Sequence, residues 1–185
     1  MGVSPAVRLE RDRATFPAMN VDEILVWREW LRLHELVWDP LPQFWLALRA
    51  GQPGAQPQAG DKFDYNVRIG TGKDPGASFR ANIRQMAIAV TQQRLDAVGF
   101  QGDQPTIFEV KRRVTAAQIG QVLAYLATWT TTKLTATPPV GRLVGADFDE
   151  NALHLLQQTG LQLDIAPVNF SILSPYNTAP TNPNL

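Results

Sequence analysis

Two acids and a lysine near the middle of the chain have the types and spacing to do chemistry. Asp96 lies in residues 94–100, and Glu109 and Lys111 lie in residues 105–111. These two apolar-rich stretches are joined by a polar, Gly-containing turn at residues 101–104 and read as a β-hairpin. Asp96 and Glu109 then stand on neighbouring strands, where their carboxylates can converge. Glu109 and Lys111 are two residues apart and share one face of one strand. One or two carboxylates, completed by water and substrate oxygens, are what Mg2+ takes from a protein. The backbone carbonyl of Val110 could add a further ligand. Lys111 beside such an ion would orient an attacking water or offset charge on a phosphate. Hydrolysis of a phosphodiester at neutral pH is a reaction that calls for a hard cation in this role. The bland alternative is that Asp96 and Glu109 face solvent, with Lys111 simply pairing to one of them.

The flanking elements must hold this hairpin. Upstream, Asn20 is a good N-cap, and Asp22 and Glu23 fall in the first turn of a helix predicted over residues 20–38. Ile24, Trp27, Leu31 and Trp38 form one apolar stripe of that helix, and Val26, Trp30, Leu33 and Val37 form another. A helix apolar on two sides is buried on two sides, either within its own domain or with one stripe against another subunit. A second short helix over 41–48 and a flexible loop over 50–60 follow. Phe63, Tyr65, Val67 and Ile69 alternate as in a strand. Residues 70–76 read as a turn, and the Gly70-Thr71-Gly72-Lys73 run lacks the first glycine of a phosphate-binding loop. Residues 78–90 fit either helix or strand, with a helix running into the hairpin preferred. After the hairpin, Thr115 caps a helix to about 131, with Ala116, Ile119, Val122, Leu123 and Leu126 as its apolar stripe. Gln118, Gln121 and Tyr125 lie at the edge of that stripe. A strand over 142–146, a helix over 149–159 capped by Asp149 and ended by Gly160, and a strand over 161–167 complete the pattern. Strands and helices that interleave in this way build a mixed sheet flanked by helices.

Taken together, Arg94-Leu95-Asp96, a hairpin, Phe108-Glu109-Val110-Lys111, and a helix carrying Gln121-x-x-x-Tyr125 resemble the PD-(D/E)xK nuclease superfamily. That group includes restriction endonucleases, Holliday junction resolvases and phage exonucleases. The closing part, Val144-Gly145-Ala146-Asp147-Phe148, a helix and Gly160-Leu161-Gln162-Leu163-Asp164, is similar to the end of the same fold. The resemblance spans residues 62–168. It implies a restriction endonuclease-like α/β fold, Mg2+ or Mn2+ as cofactor, and DNA as substrate. It implies Asp96 and Glu109 as metal ligands, Lys111 as the catalytic lysine, and Gln121 and Tyr125 lining the site. The other reading of Gln121 and Tyr125 is as residues that border the core. Arg94, Arg112 and Arg113, with Lys111, form a basic cluster that either faces DNA phosphates or is an ordinary charged strand end. The chain departs from the family in having no proline before Asp96. The family commonly adds an acid from an early helix, for which Glu23, Glu29 and Glu35 are candidates. Residues 1–50, an N-terminal arm with a Trp-rich helical extension, and the tail 169–185 match nothing in the family core.

Composition narrows the remaining classes. The 185-residue chain has no cysteine, which excludes disulfides, thiolate metal sites and cysteine nucleophiles. Its two histidines, His34 and His154, fall on different predicted helices, so zinc is not expected. Seventeen basic and seventeen acidic residues cancel, so any nucleic-acid footprint is local. No apolar run is long enough for a transmembrane helix and no signal peptide is evident, so the host cytoplasm or a virion is the expected location. A second function class follows from the extensions. A short chain with a nuclease-like core and long arms is similar to bacteriophage assembly proteins such as head–tail connectors or adaptors. In that reading the site is idle, and homo-oligomer or virion contacts run through residues 20–48 and 169–185.

Overall fold

The computed structural model describes residues 16, 19–34, 39–40, 62–101, 103–132 and 134–170. The expected arm before residue 16, the short helix over 41–48, the loop over 50–60 and the tail from 171 lie outside the described residues, as do Glu35, Val37 and Trp38. The described elements run α1 (Val21–Leu33), β1 (Asp39–Pro40), β2 (Lys62–Ile69), α2 (Ala81–Thr91), β3 (Gln93–Gln101), β4 (Gln104–Val114), α3 (Ala116–Thr132), β5 (Val140–Phe148), α4 (Glu150–Thr159) and β6 (Gln162–Ile165). The strands form one mixed sheet in sequence order. β2, β3 and β4 are antiparallel neighbours, whereas β1 joins β2, β5 joins β4 and β6 joins β5 in parallel. This is the mixed α/β sheet flanked by helices that the element order implies. Among the described residues no helix is long and apolar enough to cross a membrane.

Alternation along the central strands assigns the helices to faces. Phe108, Val110 and Val144 pack with Trp27, Trp30, Leu31, Phe63 and Tyr65, so α1 covers one face. Ile107 packs with Tyr125 and Trp129, and Leu143 with Ile119, Val122 and Leu156. Odd and even residues of one strand point to opposite faces, so α3 and α4 cover the other side. Most of both stripes of α1 that fall in the described residues is buried within this chain: Ile24, Val26, Trp27, Trp30 and Leu31 are all core. Trp27 stacks on Trp30 at 4.9 Å and meets Phe63 and Phe108 edge-on, and its indole N–H donates to the Tyr65 hydroxyl at 3.1 Å. Leu33 is 45% exposed, contrary to the second stripe expected. The helix stops at Leu33 rather than near Trp38, because His34 leaves helical geometry and its ring binds back to the Trp30 carbonyl at 2.8 Å.

One other expectation is corrected, and the helix preferred for residues 78–90 is found. The buried face of α3 is Ile119, Val122, Tyr125 and Trp129, while Ala116 and Leu123 are exposed. The large Tyr125 and Trp129 rings claim the groove over β2–β4, and Leu123, one step of about 100° past Val122, is turned outward. Residues 78–90 settle as α2, yet this helix buries no side chain, and Phe79, Ile83, Met86 and Val90 all stand open. The expected stops of α4 hold: Asp149 accepts the Asn151 N–H at 2.9 Å, and Gly160 ends the helix at φ 69°.

The hairpin is bent where its acid sits. β2 and β3 pair at Tyr65↔Ala97 and at Val67↔Leu95, but not at the step between them. There Asn66 has φ 54°, the left-handed region that asparagine tolerates better than most residues. Tyr65 and Ala97 face α1, whereas Val67 and Leu95 face α3. Residues two apart on one strand normally share a face, so both strands reverse phase at Asn66 and Asp96. On its other side, the β3–β4 ladder runs from Gln101↔Gln104 only as far as Ala97↔Phe108. Asp96 therefore lies where β3 leaves β4.

Candidate functional site

The opening between β3 and β4 is where the acids gather. Past the last ladder pair, the Asp96 side chain substitutes for the missing backbone bond: its Oδ2 accepts the Val110 N–H at 2.9 Å. The next residue on β4, Lys111, sends its ammonium into the same opening. Nζ lies 3.3 Å from Asp96 Oδ2, 2.9 Å from Glu109 Oε1 and 2.7 Å from Glu23 Oε1. The Glu109 contact has ion-pair distance without hydrogen-bond geometry. Both Glu109 carboxylate oxygens are buried and lack a hydrogen-bond donor among the described residues.

Glu23 arrives from α1 by way of a capping box. Asn20 Oδ1 accepts the Glu23 N–H at 3.0 Å, and Glu23 Oε2 accepts the Asn20 N–H at 2.8 Å. One carboxylate oxygen thus fixes the helix start and the other holds Lys111. Of the three acids considered for the early helix, Glu23 is the one at the site. Glu29 pairs with Arg32 at 2.6 Å on the surface, and Glu35 lies outside the described residues.

Three carboxylates around one ammonium carry two surplus negative charges if all are ionised, and they do so in a poorly hydrated place. Glu109 is 1% exposed and Asp96 6%. Burial pushes the Asp96 carboxyl above the usual range, against the pull of the Lys111 charge and the Val110 N–H. Burial, then the neighbouring Asp96 charge, pushes Glu109 up as well, with Lys111 opposing. For Lys111 burial works against the charged form, but the Asp96 and Glu109 charges and the Glu23 hydrogen bond outweigh it and hold the ammonium above its ordinary range. The lysine is a fixed cation here, and the two acids are the groups whose charge is costly.

That charge pattern fits a divalent cation. Its two positive charges match the surplus, and Glu109 offers two buried oxygens, of which Oε1 faces the Lys111 ammonium at 2.9 Å and Oε2 has no donor among the described residues. Among the described residues no group of three or more acidic, histidine or cysteine side chains is arranged to hold a metal alone. The ligand set would therefore be Asp96 and Glu109 with the Val110 carbonyl and water, which is the sparse carboxylate coordination that Mg2+ uses. Glu23 is already committed to Asn20 and Lys111.

The remaining candidates divide. Tyr125 is 3% exposed, with its ring in the core and its hydroxyl accepting from the Gln121 amide. Burial, then the nearby Glu109 charge, pushes the phenol up. Tyr125 is thus a neighbour of the acids from the α3 side, and not an exposed DNA contact; Gln121 reaches the site only through it. The basic cluster does not form one patch. Lys111 is enclosed by acids, Arg112 pairs with Asp22 at 3.1 Å and lies over the Phe170 ring, and Arg113 is 3.7 Å from Asp147. Arg94 is exposed and pairs across the strands with Arg68. The Gly70–Lys73 run does not cradle an anion: the Lys73 N–H donates to Thr91 Oγ1 at 2.6 Å. It borders a cavity of about 440 Å³ with Gln93 and Thr128, apart from the carboxylates.

No family model matches the chain, and no curated protein matches it either. Among solved structures, a repair endonuclease from Pyrococcus abyssi is similar at 16% identity and a TM-score of 0.38, over 70% of this chain and 48% of that one. A structure of an EndoMS–dsDNA complex is similar at 16% identity and a TM-score of 0.36, over 69% of this chain and 44% of that one. The chain spans less than half the length of either protein. At TM-scores this low the likeness has no bearing on the site, whose chemistry rests on its side chains.

Proposed function

We propose that this protein is a metal-dependent DNA phosphodiester hydrolase of the PD-(D/E)xK type, with Asp96 and Glu109 as metal ligands and Lys111 as the catalytic lysine. The observation that carries the reading is the Lys111 ammonium set among Glu23, Asp96 and Glu109, with both Glu109 oxygens buried. A bound Mg2+ or Mn2+ would polarise the phosphodiester and make water a better nucleophile at neutral pH. Each side chain has a separate task. Asp96, tied to the Val110 N–H, holds its carboxylate in one orientation. Glu109, buried near enough to Tyr125 to act on its hydroxyl, presents two oxygens from a site with little water. Lys111 places a permanent positive charge where negative charge would grow on the phosphate and attacking oxygen. Glu23 holds the Lys111 chain in that direction.

The test is cleavage of supercoiled, linear duplex, single-stranded and branched DNA with Mg2+ or Mn2+. The expected result is cleavage of at least one form, reduced at least about a hundredfold in Lys111→Ala and in Asp96→Ala, with both variants shown to be folded by thermal melting. Wild-type protein that cuts none of these forms with either metal would sink the proposal.

A further inference from the structure

Arg68 and Arg94 are direct cross-strand partners on β2 and β3. In an antiparallel pair, residues directly opposite one another share a face, about 4.5–5.5 Å apart at Cα. Their neighbours Val67, Ile69 and Leu95 are buried towards α3, so both arginines stand on the other face of the sheet. Arg94 is exposed and Arg68 half-buried. Among the described residues neither has an acid within ion-pair distance. This sets them apart from Arg32, Arg84, Arg112, Arg113 and Arg142, each of which has one. Like charges directly opposite on a sheet are destabilising, so the pair lowers stability unless an anion joins it. Asp96 is two residues beyond Arg94, about 7 Å along the strand, where β3 leaves β4.

We infer that Arg68 and Arg94 together clamp a backbone phosphate of the nucleic acid, on the sheet face away from α3 and along β3 from Asp96. Two guanidinium groups on one face can each bind a phosphate oxygen, and arginine makes such contacts in a fixed, forked geometry. The clamp would position the strand without reading its sequence, because phosphate contacts fix register and carry no base information. This assignment rests on the hydrolase reading above.

The experiment is anisotropy of a labelled short DNA duplex and single strand in EDTA across a NaCl series. It compares wild type, Arg68→Gln/Arg94→Gln, and the control pair Arg112→Gln/Arg113→Gln. The clamp variant should bind about tenfold or more weakly, and its slope of log affinity against log salt should be shallower by about one to two. The control should change affinity less, since both of its arginines are already paired with acids. In a melt without DNA the clamp variant should be at least as stable as wild type, because a like-charge pair has been removed. Wild-type affinity and slope in the clamp variant, or an equal loss in the control, overturns the clamp and leaves the hydrolase reading standing if wild type still cleaves. Wild-type protein that neither cleaves nor binds DNA overturns both.

Discussion

At Lys111 the magnitudes decide what each substitution should do. Taking away one member of a buried ion cluster leaves the others uncompensated and costs about 3–5 kcal/mol. Lys111 is the sole cation facing Asp96, Glu109 and Glu23 among the described residues, so Lys111→Met should lower metal-free stability by about that much, less what its partial exposure returns. Glu109→Gln is different. The carboxylate is buried, has no hydrogen-bond donor and sits beside two other acids. Replacing it with a neutral amide relieves more than it removes. Denaturant melts in EDTA at pH 8 should show Glu109→Gln no less stable than wild type, while cleavage is lost. A Glu109→Gln protein clearly less stable than wild type would mean that the carboxylate is a structural ion-pair partner, and not a ligand kept ready for a cation.

At the scale of elements, α1 and the bend in β2–β3 bring the site together. Glu23 does two jobs with its two oxygens, and substitutions can separate them. Glu23→Gln keeps an acceptor for the Asn20 N–H and loses the charge facing Lys111. Glu23→Ala loses both, leaving the Asn20 N–H without its acceptor while the Asn20 cap itself remains. Melting temperature should therefore fall further in Glu23→Ala than in Glu23→Gln, while cleavage falls in both. The bend rests on Asn66. Its φ of 54° makes Asn66→Val unfavourable by at least about 1–2 kcal/mol, whereas Asn66→Gly should be nearly neutral, because its amide oxygen is buried without a partner. Equal melting of the two variants would show that the bend imposes no backbone demand. Asp96, Glu109 and Lys111 were legible in the sequence because acid type, hairpin spacing and strand parity converge on them. Glu23 could not be told from Glu29 and Glu35, because helical spacing alone does not say which side meets a lysine 88 residues away. Its one local signal was the Asn20-x-x-Glu23 capping pattern. Asn66 gave no warning beyond being an asparagine inside an alternating strand. The basic cluster could not be resolved between its two readings because Asp22 and Asp147, the partners of Arg112 and Arg113, are close only in the fold.

The whole molecule holds its acids at a thermodynamic cost that should be visible as linkage between pH, metal and folding. Asp96 and Glu109 both titrate higher in the folded protein than in the unfolded chain, where carboxyls lose their protons near pH 4. Between those limits the folded state holds more protons than the unfolded one, so stability falls as pH rises. The contribution is complete below about pH 4 and is lost through the weakly acidic to neutral range. Lys111 does not reverse this trend: its ammonium is raised too, so it stays charged in both states across that window. Metal-free protein should thus lose stability between about pH 5 and pH 8, beyond the trend set by its surface groups, and Glu109→Gln should flatten the loss. Divalent cation acts in the opposite sense. It binds the ionised acids of the folded state, and at a hundred times its dissociation constant it adds about 2.7 kcal/mol. The gain should grow with pH, as fewer protons compete for the same oxygens. Denaturant melts of wild type, Asp96→Ala and Glu109→Gln at several pH values, with Mg2+ or EDTA, would check this. A Mg2+ stabilisation that is the same in all three proteins, or that shrinks as pH rises, would place the cation somewhere other than between Asp96 and Glu109.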